Sequence, residues 1–112
     1  MEPKIKLWLE VDDEIVFGIG RLILLEKIDR LGSINKAANE LNMSYRAAWG
    51  KIKASEERLG FKLVETKVGG SKGGGTELTS KAKKVMKKYQ EYEELINQKV
   101  QKIFKNKFTD LF

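Results

Sequence analysis

Arg46 and Lys53 lie seven residues apart, close to two helical turns, so at about 100° per residue they share one face with Gly50. Ser44, Tyr45 and Ala47 stand beside them. The chemistry open to this set is recognition of a polyanion, not the making or breaking of bonds. The Arg46 guanidinium can offer two parallel N–H donors to a guanine edge or to a phosphate. Lys53, further along, suits a phosphate. Ser44 and the first-turn amides can bind phosphate as well, and Tyr45 can reach a phosphate or a thymine methyl. Ala47 and Gly50 lack bulk, which lets such a face come close to a duplex. Trp49 falls on the border and reads as packing at the helix edge.

A second group follows in KVGGSKGGG, residues 67–75. Glycine loops also cradle nucleotide phosphates, but the P-loop spacing is absent, and no helix opens after the glycines as the dinucleotide fingerprint requires. Set between two short strands, the loop reads as a wing. Lys67 and Lys72 would touch the backbone or a minor groove, with Gly73 and Gly74 permitting close approach. The bland alternative is a hairpin tip with no partner.

Charge supports the same direction. The chain carries a formal net charge of +6 with a pI of about 9.5, unevenly placed. Residues 1–31 have five Lys/Arg against seven Asp/Glu, residues 44–75 have seven against three, and residues 81–107 have nine lysines against three glutamates. An anionic partner fits the second and third of these segments. Cysteine and histidine are both absent, which removes disulfides, thiolate chemistry, the usual zinc sites and the commonest general base. No paired carboxylates replace them. Catalytic residues, metal and cofactor are therefore all read as none. No segment reaches the roughly 18 apolar residues of a membrane span, MEPKIKLWLEVDD has no signal-peptide layout, and a cytoplasmic protein is expected.

The elements that must hold these residues follow from periodicity. KIKLWLEV, residues 4–11, alternates with Ile5, Leu7, Leu9 and Val11 on one face and reads as a half-buried strand. Asp12-Asp13 turns it and Ile15-Val16-Phe17 returns, giving a hairpin over 1–17 in which Trp8 is expected to be covered by another element. Gly18 and Gly20 break the pattern. Leu22, Leu24, Leu25, Ile28 and Leu31 then mark a core helix stopped by Gly32. Ser33 caps a second helix with Ile34, Ala37, Ala38 and Leu41 in one stripe. Asn42-Met43 makes a turn, and Ser44 caps a third helix, about Tyr45 to Leu59, with Ala48, Ile52, Ser55 and Leu59 inward. The three-helix core spans 21–60, its helix-turn-helix 33–60, and the wing 61–79.

A long helix over 80–108, capped by Thr79 or Ser80, completes the chain. Its apolar positions recur at steps of three and four. Val85, Tyr89, Tyr92, Ile96 and Ile103 are read as a coiled-coil-like seam that pairs two copies. The lysines at its start (Lys81, Lys83, Lys84, Lys87, Lys88) are a solvated face or a secondary phosphate contact. The fold class is mainly α with small β-hairpins: a winged helix-turn-helix with a long C-terminal dimerisation helix.

The strings GSINKAANELNMSYRAAW and LVETKVGGSKGGGTELT resemble the DNA-binding domain of ModE-type, molybdate-dependent transcriptional regulators. More distantly, GSxxxAAxxLxxS with the following helix and wing is similar to the LysR-type winged helix. The match runs from about Leu24 to Tyr89. The resemblance implies a regulator that binds operator duplex DNA as a homodimer, with Ser44, Tyr45, Arg46, Ala47 and Gly50 in the major groove and residues 67–75 on its flank. Full-length members carry C-terminal molybdate-binding domains; this chain ends at Phe112, so no oxyanion effector is expected on it. Two other readings stay open, a winged-helix adaptor that binds protein and an architectural protein that binds DNA without sequence preference.

Overall fold

The computed structural model describes residues 1–68 and 75–112. The order of elements is β1 (Trp8–Val11), β2 (Glu14–Gly18), α1 (Ile19–Leu31), α2 (Ile34–Glu40), α3 (Tyr45–Leu59), β3 (Val64–Lys67), β4 (Gly75–Leu78) and α4 (Ser80–Phe108). Lys72, Gly73 and Gly74 of the expected wing lie outside the described residues.

β1 and β2 pair antiparallel around a two-residue turn, Val11 opposite Glu14. Asp12 (φ 51°) and Asp13 (φ 65°) both take the left-handed conformation that such a turn needs, and aspartate tolerates it because its short side chain can bond locally. α1 starts at Ile19, earlier than the glycines suggest: Gly20 is absorbed into its first turn. Its end is as read, with Gly32 (φ 69°) donating its N–H back to Ile28 O at 2.7 Å.

The core is a triangle of α1, α2 and α3 closed by Val16, Phe17, Leu63, Val64, Leu78, Ala82 and Tyr89. Ala37, Ala38 and Ala48 are fully buried, and their small side chains let the three helices approach closely. Ser55 is the one polar side chain fully buried among the described residues. It is satisfied twice, donating to Val16 O (2.6 Å) and accepting from Arg21 Nε (3.2 Å). Arg58 ties the same hairpin to α3 through Ile15 O and Glu14. Glu40, at the end of α2, accepts from Lys27 and Arg30 of α1, and those two cations hold its carboxyl below the usual range.

Two expectations need correction. The first strand is neither as long nor as covered as alternation suggests. It begins at Trp8, and Trp8, Leu9 and Val11 are all exposed, because none of the described residues covers either face of this strand. Trp8 sits 50% exposed with its indole N–H given to Glu10. The second concerns α4. Val85, half-buried, and Tyr89, at 2% exposure, pack against the chain's own core, which takes Tyr89 out of a seam for a partner. Tyr92 and Ile103 remain exposed and Ile96 half-buried.

Only the first third of α4 touches the core. At 29 residues it is about 43 Å long, and the chain measures 63 × 28 × 24 Å. The radius of gyration, 17.5 Å, exceeds the roughly 13 Å of a compact chain this size. The projecting helix accounts for the difference. Among the described residues, no helix is long and apolar enough to cross a membrane.

Candidate nucleic-acid interface

The helix-turn-helix is set by three local devices. Ser33 Oγ accepts the Lys36 N–H at 3.1 Å and starts α2. Asn42, left-handed at φ 55°, turns the chain, and Met43 N–H bonds back to Ala38 O at 3.0 Å. Ser44 Oγ then accepts the Ala47 N–H at 3.0 Å and starts α3. Each cap satisfies amides that would otherwise be orphaned, so the two helices begin at fixed residues and their faces are fixed with them.

On α3, Ala48, Ile52 and Ser55 turn inward. Tyr45, Arg46, Ala47, Trp49, Gly50 and Lys51 are exposed on the other sides. Arg46 forms no ion pair with any described residue. Lys53 does: its ammonium is 3.0 Å from Glu56 and 5.6 Å from the Trp49 ring centre. Trp49 is 45% exposed, so its packing is against that lysine and not the core.

Gly50 stands out on energetic grounds. Glycine in a helix interior costs roughly 0.5–1 kcal/mol relative to alanine. A methyl built on Gly50 meets nothing within 4 Å. No packing among the described residues asks for a glycine there, and its φ is ordinary.

The wing is docked by its strands. β3 and β4 pair from Val64↔Leu78 to Lys67↔Gly75. Thr76 N–H donates to Gly32 O (2.9 Å), seating the wing base on the end of α1. Thr79 closes the other side, donating to Lys62 O and accepting from Ala82 N–H to cap α4. Lys67, its side chain 60% exposed, lies 3.7 Å from Glu77.

Glu56 joins α3 to this wing. Its carboxylate accepts from Leu63 N–H (2.8 Å), Val64 N–H (3.3 Å) and Lys53 (3.0 Å). Burial pushes its pKa up, but the Leu63 amide, the Lys53 ammonium and the Val64 amide outweigh that and hold it below the usual value. A carboxyl depressed in the folded state contributes stability above its unfolded pKa of about 4.3, and that contribution is lost as pH falls through the folded value. Glu56→Gln is expected to cost about 1–2 kcal/mol at pH 7 and to lose most of that difference from the parent at low pH. Urea titrations at pH 7 and pH 3.5 check it; an equal cost at both would sink the ionic account.

An open cleft of about 540 Å³ separates the wing base from the two helix starts. Asn35, Lys36, Tyr45, Lys67 and Thr76 line it. Sequence reasoning missed Asn35 and Lys36. Their signal was position: both sit in the first turn after the Ser33 cap.

Residues 19–83 match the bacterial regulatory helix-turn-helix proteins of the lysR family. The molybdenum transport protein ModE of Azotobacter vinelandii is 36% identical over 88 residues, 79% of this chain and 33% of that protein. The transcriptional regulator ModE of Haemophilus influenzae is 34% identical over 77% of this chain and 34% of its own length. The DNA-binding transcriptional dual regulator ModE of Escherichia coli K12 is 32% identical over 104 residues, 93% of this chain and 38% of that protein. The chain thus spans about a third of the length of these relatives, and the ModE-type resemblance stands. Among solved structures, the CbnR_DBD–DNA complex aligns with a TM-score of 0.55 at 22% identity, over 74% of this chain and 90% of that one. ArgP from Mycobacterium tuberculosis aligns with a TM-score of 0.51 at 20% identity, over 74% of this chain and 29% of that one. Both show the fold, a winged helix.

Proposed function

We propose, because the chain belongs to the lysR family of bacterial regulatory helix-turn-helix proteins, that it is a sequence-specific DNA-binding transcriptional regulator of the ModE kind. The observation that carries this reading is the outer face of α3, where Arg46 has no ion pair among the described residues and Gly50 is a glycine that none of them requires. A helix face that must meet a major groove at close range accounts for both. Ser44, Tyr45, Ala47 and Lys53 border the same contact, and Lys67 and the wing meet the flanking backbone. The protein works as a homodimer, paired through the exposed length of α4 at Tyr92, Ile96 and Ile103, and acts in the cytoplasm without catalysis.

Selection from a random duplex library tests this directly. Enrichment of an inverted repeat with half-sites about one helical turn apart is expected. Retention without an enriched motif would favour architectural binding, and no retention at low salt would favour a protein-binding adaptor. Two variants sharpen the result. Arg46→Ala should lower the preference for the selected site over random duplex by about 1–3 kcal/mol. Gly50→Ala should raise stability by roughly 0.5–1 kcal/mol, while Gly50→Leu abolishes specific binding in a fully folded protein. If Gly50→Leu binds normally, α3 does not enter a groove by this face.

A further inference from the structure

Two parts of the chain carry opposite charge and exposed apolar side chains. The first is the tip of the β1–β2 hairpin. Glu10, Asp12 and Asp13 cluster there, and Trp8, Leu9 and Val11 beside them are 50%, 36% and 42% exposed. The second is the far end of α4. Lys99, Lys102, Lys105 and Lys107 follow one another with no acidic residue between Leu95 and Thr109. Ile103 and Phe108 are 57% and 41% exposed among them. Among the described residues, none of these acids or lysines is in an ion pair.

Within one chain the two parts do not meet. Tyr89 is the last core residue of α4, and its hydroxyl donates to Leu7 O (2.8 Å) at the root of β1. The 19 residues of α4 beyond it project by about 28 Å. A two-fold axis changes this. If two copies of α4 cross antiparallel near Lys99, in the middle of the 19 residues beyond Tyr89, residues equally distant from the crossing oppose each other. Ile103 of one copy then faces the exposed Leu95 of the other, and Lys107 faces Glu91. The lysine-bearing end of one α4 is carried to the root of the other copy's hairpin.

From this we infer that the acidic hairpin of each protomer docks on the lysine-bearing end of the partner's α4. The contact is made twice in an isologous dimer. Apolar burial of Leu9 and Val11 against Ile103 and Phe108 supplies the attraction, and the charges set the register and exclude a parallel arrangement. The inference rests on the dimeric reading above and deepens it by naming the surfaces.

The test uses the full chain and two charge-altered variants. One carries Glu10→Lys, Asp12→Asn and Asp13→Asn, since asparagine keeps the left-handed turn. The other carries Lys102→Glu, Lys105→Glu and Lys107→Glu. Circular dichroism and thermal unfolding establish that each is folded, and sedimentation equilibrium reads the dimer Kd. Each variant alone is expected to raise that Kd by about tenfold or more. An equimolar mixture of the two should recover a tight heterodimer, because one contact is native and the other has both signs reversed. Variants that dimerise as tightly as the parent, or a mixture that recovers nothing, would overturn this contact while the dimer stood. A parent chain that is monomeric at all concentrations would overturn the dimeric reading and this one with it.

Discussion

Replacing Tyr89 with alanine is expected to lower stability by about 3–5 kcal/mol, the range for losing a large buried aromatic. The ring is 2% exposed and meets Phe17 edge to face, with centroids 5.3 Å apart and planes at 63°. Its hydroxyl holds the N-terminal arm through Leu7 O. Truncation therefore opens a cavity where α4, the hairpin and α1 converge, and frees the arm as well. Tyr89→Phe keeps the ring and should cost only about 1 kcal/mol. Burial, and then the Glu93 carboxylate, raise the phenol's pKa. The protonated form is thus favoured by folding, so this contribution is full below about pH 10 and is lost as pH climbs through the folded value. Urea unfolding of the three proteins checks the order. Tyr92→Ala should behave in the opposite way, changing the protomer little and weakening the dimer. A Tyr89→Ala protein as stable as its parent but monomeric would return Tyr89 to the dimer seam.

The reason Tyr89 is misread from sequence is physical. Steps of three and four residues along α4 say which face is apolar, not what covers it. A core in the same chain and a second copy ask for the same period. The first third of α4 turned out to be claimed by Phe17 and its neighbours, and the rest was left over. The same limit applies to β1, where alternation at Leu7, Leu9 and Val11 gives an apolar face of which Leu7 packs against the core while Leu9 and Val11 stay exposed.

What was legible was local. Ser33, Ser44 and Thr79 cap because their hydroxyls answer amides three residues on, and Gly32 and Gly60 stop helices because φ near 70–80° suits glycine. Neither needs knowledge of the rest of the fold. The outward face of α3 was legible for the same reason: once the cap fixes the helix start, the inward residues fix what faces out. Glu56 was not legible. Its partners, the Leu63 and Val64 amides, are seven and eight residues away across a turn, and nothing about a glutamate on a basic helix marks it as the joint between α3 and the wing.

Gly75→Val should be nearly as damaging as the loss of Tyr89, at about 3 kcal/mol, the upper part of the overpacking range. A Cβ at this position would lie 2.8 Å from Gly32 O, inside the distance real Cβ atoms keep. The obstacle is backbone, so no side chain can swing away. That same oxygen accepts the Thr76 N–H at 2.9 Å, and retreating from the clash breaks the bond that seats the wing. The consequence for function follows from how the wing is held. Lys67 pairs in register with Gly75, so lifting the strand end moves the lysine with it. If the wing meets the phosphate backbone, Gly75→Val should weaken binding to every duplex and flatten its dependence on salt, because phosphate contacts are sequence-independent and release counterions. The preference for the selected site, set by α3, should survive. Binding isotherms at several salt concentrations on the selected and a random duplex separate these effects. A variant that loses specificity but keeps its salt slope would mean that the wing, and not only α3, reads the bases.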